Sequence, residues 1–165
     1  MIFVSVGTQL GFDRLIRAVD EWAGKNNASA LMQIGEGLYE PQHSRWVRTL
    51  TASEYDEALE QSELLVSHAG MGSVISAMRW RKPLLVMPRR AELGEHRNDH
   101  QLDATGKFLP GLGVTVAMDV EQLREHLDRR SSLQPVGRSN RHVSEDLIQR
   151  LRHIVKGATH ARQLA

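Results

Sequence analysis

The 165-residue sequence has no cysteine. That excludes a disulfide framework and thiolate metal sites, and it fits a reducing cytosol. It has no stretch near the roughly 20 apolar residues of a membrane span. Its opening, MIFVSVGTQ, lacks the basic n-region and long apolar core of a signal peptide. Contact with a membrane is therefore expected to be peripheral or through a partner. Charge of one sign is lacking too: 21 Lys and Arg stand against 20 Asp and Glu, a formal net charge of +1. That balance gives no argument for nucleic acid as a partner. Nucleophile motifs are missing as well. There is no Gly-x-Ser-x-Gly elbow, no Walker loop, no dinucleotide fingerprint and no evident pair of carboxylates in a cleft. The chain is better equipped to hold a phosphorylated ligand than to attack one.

What is present is an alternation of short apolar runs with amphipathic segments. Ile2 to Val6 is wholly apolar apart from Ser5, as expected of a strand buried on both faces. Asp13 is expected to cap a helix whose inner face carries Leu15, Ile16, Val19, Trp22 and Ala23. Further strands are expected at Ala30 to Ile34, Val47 to Leu50, Leu64 to Ser67, Leu84 to Met87 and Gly113 to Ala117. Helices are expected after Ser53, over 72–80, over 101–108, from Asp119 to Asp128, and over 143–155. The pattern predicts one α/β domain over 1–157, a Rossmann-like parallel sheet of about six strands with helices on both faces. Residues 158–165 are expected to be a frayed tail. In such sheets ligands bind outside the carboxyl ends of the strands.

Three polar loops follow the strands expected at positions one, four and five. Gly7-Thr8-Gln9-Leu10-Gly11 pairs glycine freedom with neutral hydrogen-bonding groups, and would equally suit a simple βα turn. His68-Ala69-Gly70-Met71-Gly72-Ser73 puts two glycines where a strand hands over to a helix. Bare N–H groups there favour an anion, by about 0.3–1 kcal/mol for the helix dipole alone. Ser73 can add a hydroxyl donor, or can merely cap the helix. Arg89 to Gln101 is densely polar, and its arginines suit phosphate. It would also suit a solvated loop. His96 and His100, four apart, lack an evident third metal ligand.

SHAGMGSVISAMRWRKPLLVMPR followed by DHQLDA resembles the carboxyl-terminal domain of the family-28 glycosyltransferases, and MIFVSVGTQLGFDRLIRAV matches its start in short, stand-alone members. The resemblance covers residues 1–117 well and the C-terminal helices loosely. It implies one half of a GT-B fold and a nucleotide-sugar site, usually for a UDP-sugar. Gly7 and Thr8 would lie near the diphosphate, which Gly70, Met71, Gly72 and Ser73 would hold. His68 would shape the loop, His100 and Gln101 would face the sugar, and Arg89 would border the nucleotide pocket. Many members carry a ribose-binding glutamate where this chain has Ser76.

Such enzymes place their active site between two domains, and this length accommodates one. The resemblance thus implies a donor-binding subunit of a split, inverting glycosyltransferase. A membrane-anchored partner would bring the catalytic base and a lipid-diphosphate-linked acceptor. The GEHRNDHQ segment is closer to the bacterial exopolysaccharide transferases than to the eukaryotic dolichol-linked type. Metal independence is expected, as is a cytoplasmic position at the inner face of the plasma membrane through the partner. A self-dimer could cover the partner surface in the isolated chain. A regulatory nucleotide-sugar-binding subunit without transfer activity, and a UDP-sugar epimerase or hydrolase, are the alternatives.

Overall fold

The structure is a computed structural model that describes residues 1–97, 101, 105–106 and 108–137. His100, the helix expected over 143–155 and the tail lie outside the described residues, as does part of the segment 101–108.

In chain order the elements are β1 (Ile2–Ser5), α1 (Asp13–Asn26), β2 (Ala30–Gln33), β3 (Arg45–Val47), α2 (Ala52–Gln61), β4 (Leu64–His68), α3 (Met71–Trp80) and β5 (Leu84–Met87). A 3-10 turn at Ala91–Leu93 follows, then α4 (Phe108–Gly111), β6 (Thr115–Val116), α5 (Val120–Asp128) and a 3-10 turn at Arg130–Ser132. The six strands form one sheet in the order β3-β2-β1-β4-β5-β6, and every pair is parallel. Strand β1 is central: Val4 pairs with Met32 on one side and Val66 on the other. This is the doubly wound α/β arrangement read from the alternating runs.

The apolar strands are explained by two cores, one on each face. Ile2, Val4, Met32, Val66, Leu85 and Met87 pack with Leu15, Ile16, Val19 and Trp22 of α1 and Leu123 and Leu127 of α5. Phe3, Leu65, Leu84 and Val86 pack with Ala58 and Leu59 of α2 and Val74 and Ala77 of α3. Successive strand residues alternate faces, so a strand with helices on both sides must be apolar throughout. Winding runs outward in both directions from β1 and β4. A crevice therefore opens between their carboxyl ends.

Three local expectations are corrected. The third strand is Arg45–Val47, not Val47 to Leu50. It is an edge strand facing solvent on one side, so no apolar run marks it; Leu50 lies in the loop beyond. Helix α2 is capped by Thr51, not Ser53. Thr51 Oγ1 accepts from Glu54 N at 3.3 Å while the Glu54 carboxylate accepts from Thr51 N at 2.8 Å, a capping box. Asp13 is the first residue of α1 rather than its cap. Its carboxylate accepts from Leu38 N at 3.0 and 3.1 Å, tying the β2–β3 connection to the helix.

That connection has a second anchor. Asp20 of α1 has no accessible surface. Its carboxylate accepts from the Tyr39 hydroxyl at 2.8 Å, Gln42 N at 2.7 Å and His43 N at 3.0 Å. Burial pushes the Asp20 pKa up, but these hydrogen bonds, led by that from Gln42, outweigh it and hold the carboxyl below its usual value. A depressed carboxyl pKa stabilises the fold above the unfolded-state value and loses that contribution as pH falls through the folded one. Asp20→Ala should therefore cost about 3 kcal/mol in urea unfolding at neutral pH, because it strands buried donors. Asp20→Asn should be less stable than the parent at pH 7, with the gap closing as pH falls below the ordinary carboxylate range.

Candidate functional site

At the crevice between β1 and β4 lies a cleft of about 700 Å³, a size that suits a small-molecule ligand. Ten of the site residues expected from sequence line it: Gly7, Thr8, His68, Gly70, Met71, Gly72, Ser73, Ser76, Arg89 and Gln101. His100, the eleventh, is outside the described residues. Residues after β1, β4 and β5 thus meet at one place, as the sheet order requires.

The floor is a buried polar network at the strand ends. Ser5 Oγ donates to Gln33 Oε1 at 2.6 Å, and Gln33 Nε2 donates to the Gly7 carbonyl at 3.1 Å. Ser67 Oγ donates to the Ser5 carbonyl at 2.6 Å and contacts Ser73 Oγ at 2.7 Å. A hydroxyl has one hydrogen. Because Ser67 gives its own to Ser5, Ser73 must be the donor to Ser67. The Ser73 hydroxyl is then committed inward, and Ser73 N donates to the Gly70 carbonyl at 3.2 Å. The donor role expected of that hydroxyl therefore falls to the backbone. Helix α3 has no side-chain cap, so the Met71 and Gly72 N–H groups are its bare leading donors.

His68 is the wedge that sets this loop. Its imidazole lies between Gly7 and Gly70. A Cβ on Gly7 would stand 2.9 Å from His68 Cε1, and one on Gly70 would run into His68 Nε2. Gly7 also has φ +80°, a conformation that disfavours any side chain. Both positions must be glycine while the ring stays there. Burial first, then the nearby Arg89 cation and His96, push the His68 pKa from 6.5 down to about 4. His68 is thus neutral at physiological pH and contributes shape rather than charge.

Arg89 is 3% exposed. Its guanidinium donates to the carbonyls of Gly11 at 2.5 Å, Glu95 at 3.1 Å, Val6 at 2.8 Å and Leu10 at 2.7 Å. Its charge borders the cleft, but three of these terminal N–H donors hold the β1–α1 loop and the fourth holds the segment after β5. Burial lowers its pKa, and Glu95 acts against that shift. Gln101 Oε1 accepts from Arg89 N at 3.1 Å, which fixes the Gln101 amide at the rim.

Sequence reasoning missed the opposite wall. Leu50, Thr51, Ala52, Tyr55, Asp56 and Arg79 also line the cleft, together with Gln33 of the floor and His96 of the segment after β5. Tyr55 packs edge-on to Phe3, ring centroids 5.1 Å apart. Its hydroxyl lies beside those of Ser76 and Ser5, while burial raises its pKa. Two signals were available: a lone glutamine closing an apolar strand, and the Thr51–Glu54 capping box. Among the described residues, no three His, Asp or Glu side chains converge to hold a metal ion. No described helix is long and apolar enough to cross a membrane.

The depressed His68 pKa has a testable sign. Below 6.5 the unfolded chain takes up a proton that the folded chain refuses until about pH 4. Stability should therefore fall as pH drops from 6.5 to about 4, then level off for this group. Urea unfolding of the parent and of His68→Asn across that window should show a shallower slope in the variant.

The chain matches the model of the glycosyltransferase family 28 C-terminal domain over residues 1–155. It is 33% identical over 115 residues to the UDP-N-acetylglucosamine transferase subunit ALG13 of Homo sapiens, covering 62% of this chain and 10% of that protein. It is 29% identical over 93 residues to zeaxanthin glucosyltransferase of Pantoea ananas, covering 53% of this chain and 22% of that protein. The chain thus spans well under half of these relatives. Among solved structures, the NMR solution structure of ALG13 superposes with a TM-score of 0.60 at 16% identity, covering 88% of this chain and 93% of that one. The family model matches nearly the whole chain, and the fold agrees with it: the chain belongs to the glycosyltransferase family 28 C-terminal domain.

Proposed function

We propose that this chain is the donor-binding half of a two-component glycosyltransferase that uses a UDP-sugar. The observation that carries this reading is the bare α3 N-terminus, opening on a cleft built from the loops after β1, β4 and β5. Two lead N–H groups and the helix dipole receive the diphosphate. Gly7 and Thr8 border it across the cleft, while Gln101 stands at the sugar end.

In the reaction, an acceptor hydroxyl attacks the anomeric carbon from the face opposite the leaving group. The bond from that carbon to the diphosphate oxygen breaks, the configuration inverts, and UDP leaves. The growing charge on the diphosphate is stabilised by the α3 donors, which are already oriented before the reaction starts. The acceptor proton goes to a base. Among the cleft-lining residues, His68 is neutral but enclosed between Gly7 and Gly70. In this reading the base comes from a membrane-anchored partner, which also presents a lipid-diphosphate-linked acceptor. The likeness to a relative whose name describes a transferase subunit supports partner dependence. Exopolysaccharide or capsule synthesis at the inner face of the plasma membrane is the setting we propose, with no metal required.

A thermal-shift series with UDP, other nucleoside diphosphates and several UDP-sugars tests the site. UDP and a UDP-sugar should raise the unfolding midpoint; failure of every uridine nucleotide would overturn the reading. Reconstituted with its partner, the chain should transfer sugar in the presence of EDTA. Gly70→Ala should abolish at least nine-tenths of that transfer through displacement of His68. Free sugar or a sugar epimer released by the isolated chain would instead identify a hydrolase or epimerase.

A further inference from the structure

The far end of the cleft has a chemistry of its own. Ala52, Tyr55 and Asp56 share one face of α2, at spacings of three and four. Gly72, Ser76 and Arg79 share one face of α3, again at four and three. The two stripes line the cleft together. At 1.5 Å per residue, Arg79 lies roughly 10 Å along the helix from Gly72, a span comparable to that from the phosphates to the outer edge of the base in a nucleoside diphosphate.

Among the described residues that line the cleft, Asp56 is the single carboxylate. Its Oδ1 accepts from Trp80 Nε1 at 3.1 Å, which orients it, and its Oδ2 is 3.6 Å from Arg79 Nη1. That second separation is too long for a good hydrogen bond. Arg79 is 68% exposed and Asp56 37%. Such a pair contributes little to stability and can be exchanged at low cost for ligand contacts. Both Asp56 oxygens keep spare lone pairs, and Arg79 keeps spare N–H donors. Arg89, the other arginine among the described residues of the cleft, has its four terminal N–H donors engaged.

We propose that Asp56 and Arg79 are specificity-determining residues that read the base of the bound nucleotide, selecting a pyrimidine imide edge such as that of uracil. The Asp56 carboxylate accepts the N3–H, and the Arg79 guanidinium donates to the adjacent carbonyl oxygen. Cytosine offers a lone pair at N3, which the carboxylate repels. The assignment rests on the reading of the cleft as a uridine nucleotide site, and adds what does the selecting.

Isothermal titration with UDP, CDP, GDP and ADP tests it, using the parent, Asp56→Ala, Asp56→Asn and Arg79→Met, each first checked for an unchanged unfolding midpoint. The parent should prefer UDP to the other three. Asp56→Ala should weaken UDP about tenfold, the loss expected for one charge-assisted hydrogen bond, and tighten CDP, because the repulsion at N3 is removed. Asp56→Asn presents an N–H2 as well as an oxygen, so the UDP-to-CDP preference should shrink. Arg79→Met, changed at an exposed position, should weaken UDP without loss of fold even if the Asp56 variants unfold. UDP bound normally by the parent with an unaltered preference in all foldable variants would overturn this assignment and leave the uridine reading standing. A parent that binds GDP as well as UDP also overturns it. A parent that binds no uridine nucleotide overturns both.

Discussion

The Arg89 guanidinium holds together the edge of the sheet on which the site is built. A buried cation is costly unless its donors are satisfied. Here four terminal donors meet four backbone carbonyls, three of them (Val6, Leu10 and Gly11) from the β1–α1 connection. The Phe12 ring lies 4.9 Å below the guanidinium carbon and adds a cation–π contact. The fourth carbonyl, from Glu95, brings in the segment after β5. The Glu95 carboxylate in turn takes two hydrogen bonds from Arg14 of α1, at 2.7 and 2.8 Å, and one from Arg90 N at 2.9 Å. One side chain thus locks together the first and fifth strand ends, which are far apart in sequence.

Constraint passes from there to the proposed anion seat through contacts rather than charge. A fixed β1–α1 loop fixes Gly7 at its positive φ. Gly7 leaves space for the His68 ring, and the ring sets where the Gly70 backbone can lie. Gly70 positions the first turn of α3 and therefore the Met71 and Gly72 donors. Each step requires the absence of a Cβ or the presence of one flat ring. Close-packed interiors transmit such displacements instead of absorbing them. A second grip comes from below, where Gln33 holds the Gly7 carbonyl.

Most of the fold was legible because it rests on local periodicity. Strands buried on both faces announce themselves as unbroken apolar runs, and β1, β4 and β5 were found within a residue at each end. Strand β3 was misplaced because an edge strand with one exposed side has no such run, and Leu50, which supplied the apolar signal, serves the cleft instead. The glycine-rich loops were legible because glycine stands out at a strand-to-helix turn, and the His68 ring leaves room for no side chain at Gly7 or Gly70. What Arg89 does was not: a polar run suggests phosphate or solvent equally well, and only the folded chain shows its donors turned onto carbonyls. The second wall, with Tyr55, Asp56 and Arg79, was hidden for a different reason. Asp56 and Arg79 are ordinary helix-surface types and Tyr55 reads as an inward residue of α2, so they acquire a shared meaning only when α2 and α3 are set side by side.

The electrostatics of the cleft divide its work unevenly. His68 is neutral, Arg89 is engaged, and the Ser73 hydroxyl points inward, so the proposed phosphate end relies on backbone donors and a helix dipole contributing about 0.3–1 kcal/mol. In that reading the seat accepts any diphosphate of suitable shape and discriminates poorly among them. Selectivity between ligands that share a diphosphate must come from groups that meet the parts in which they differ. In this cleft the charged groups with spare hydrogen-bonding capacity on the second wall stand at the other end, on the facing stripes of α2 and α3. The division is also a physical separation: the proposed phosphate end is built from loops gripped by buried side chains, whereas the distal end is built from partly or fully exposed positions on two helices. Substitutions at the distal end can therefore alter which ligand is preferred without disturbing the packing that holds the phosphate end in place.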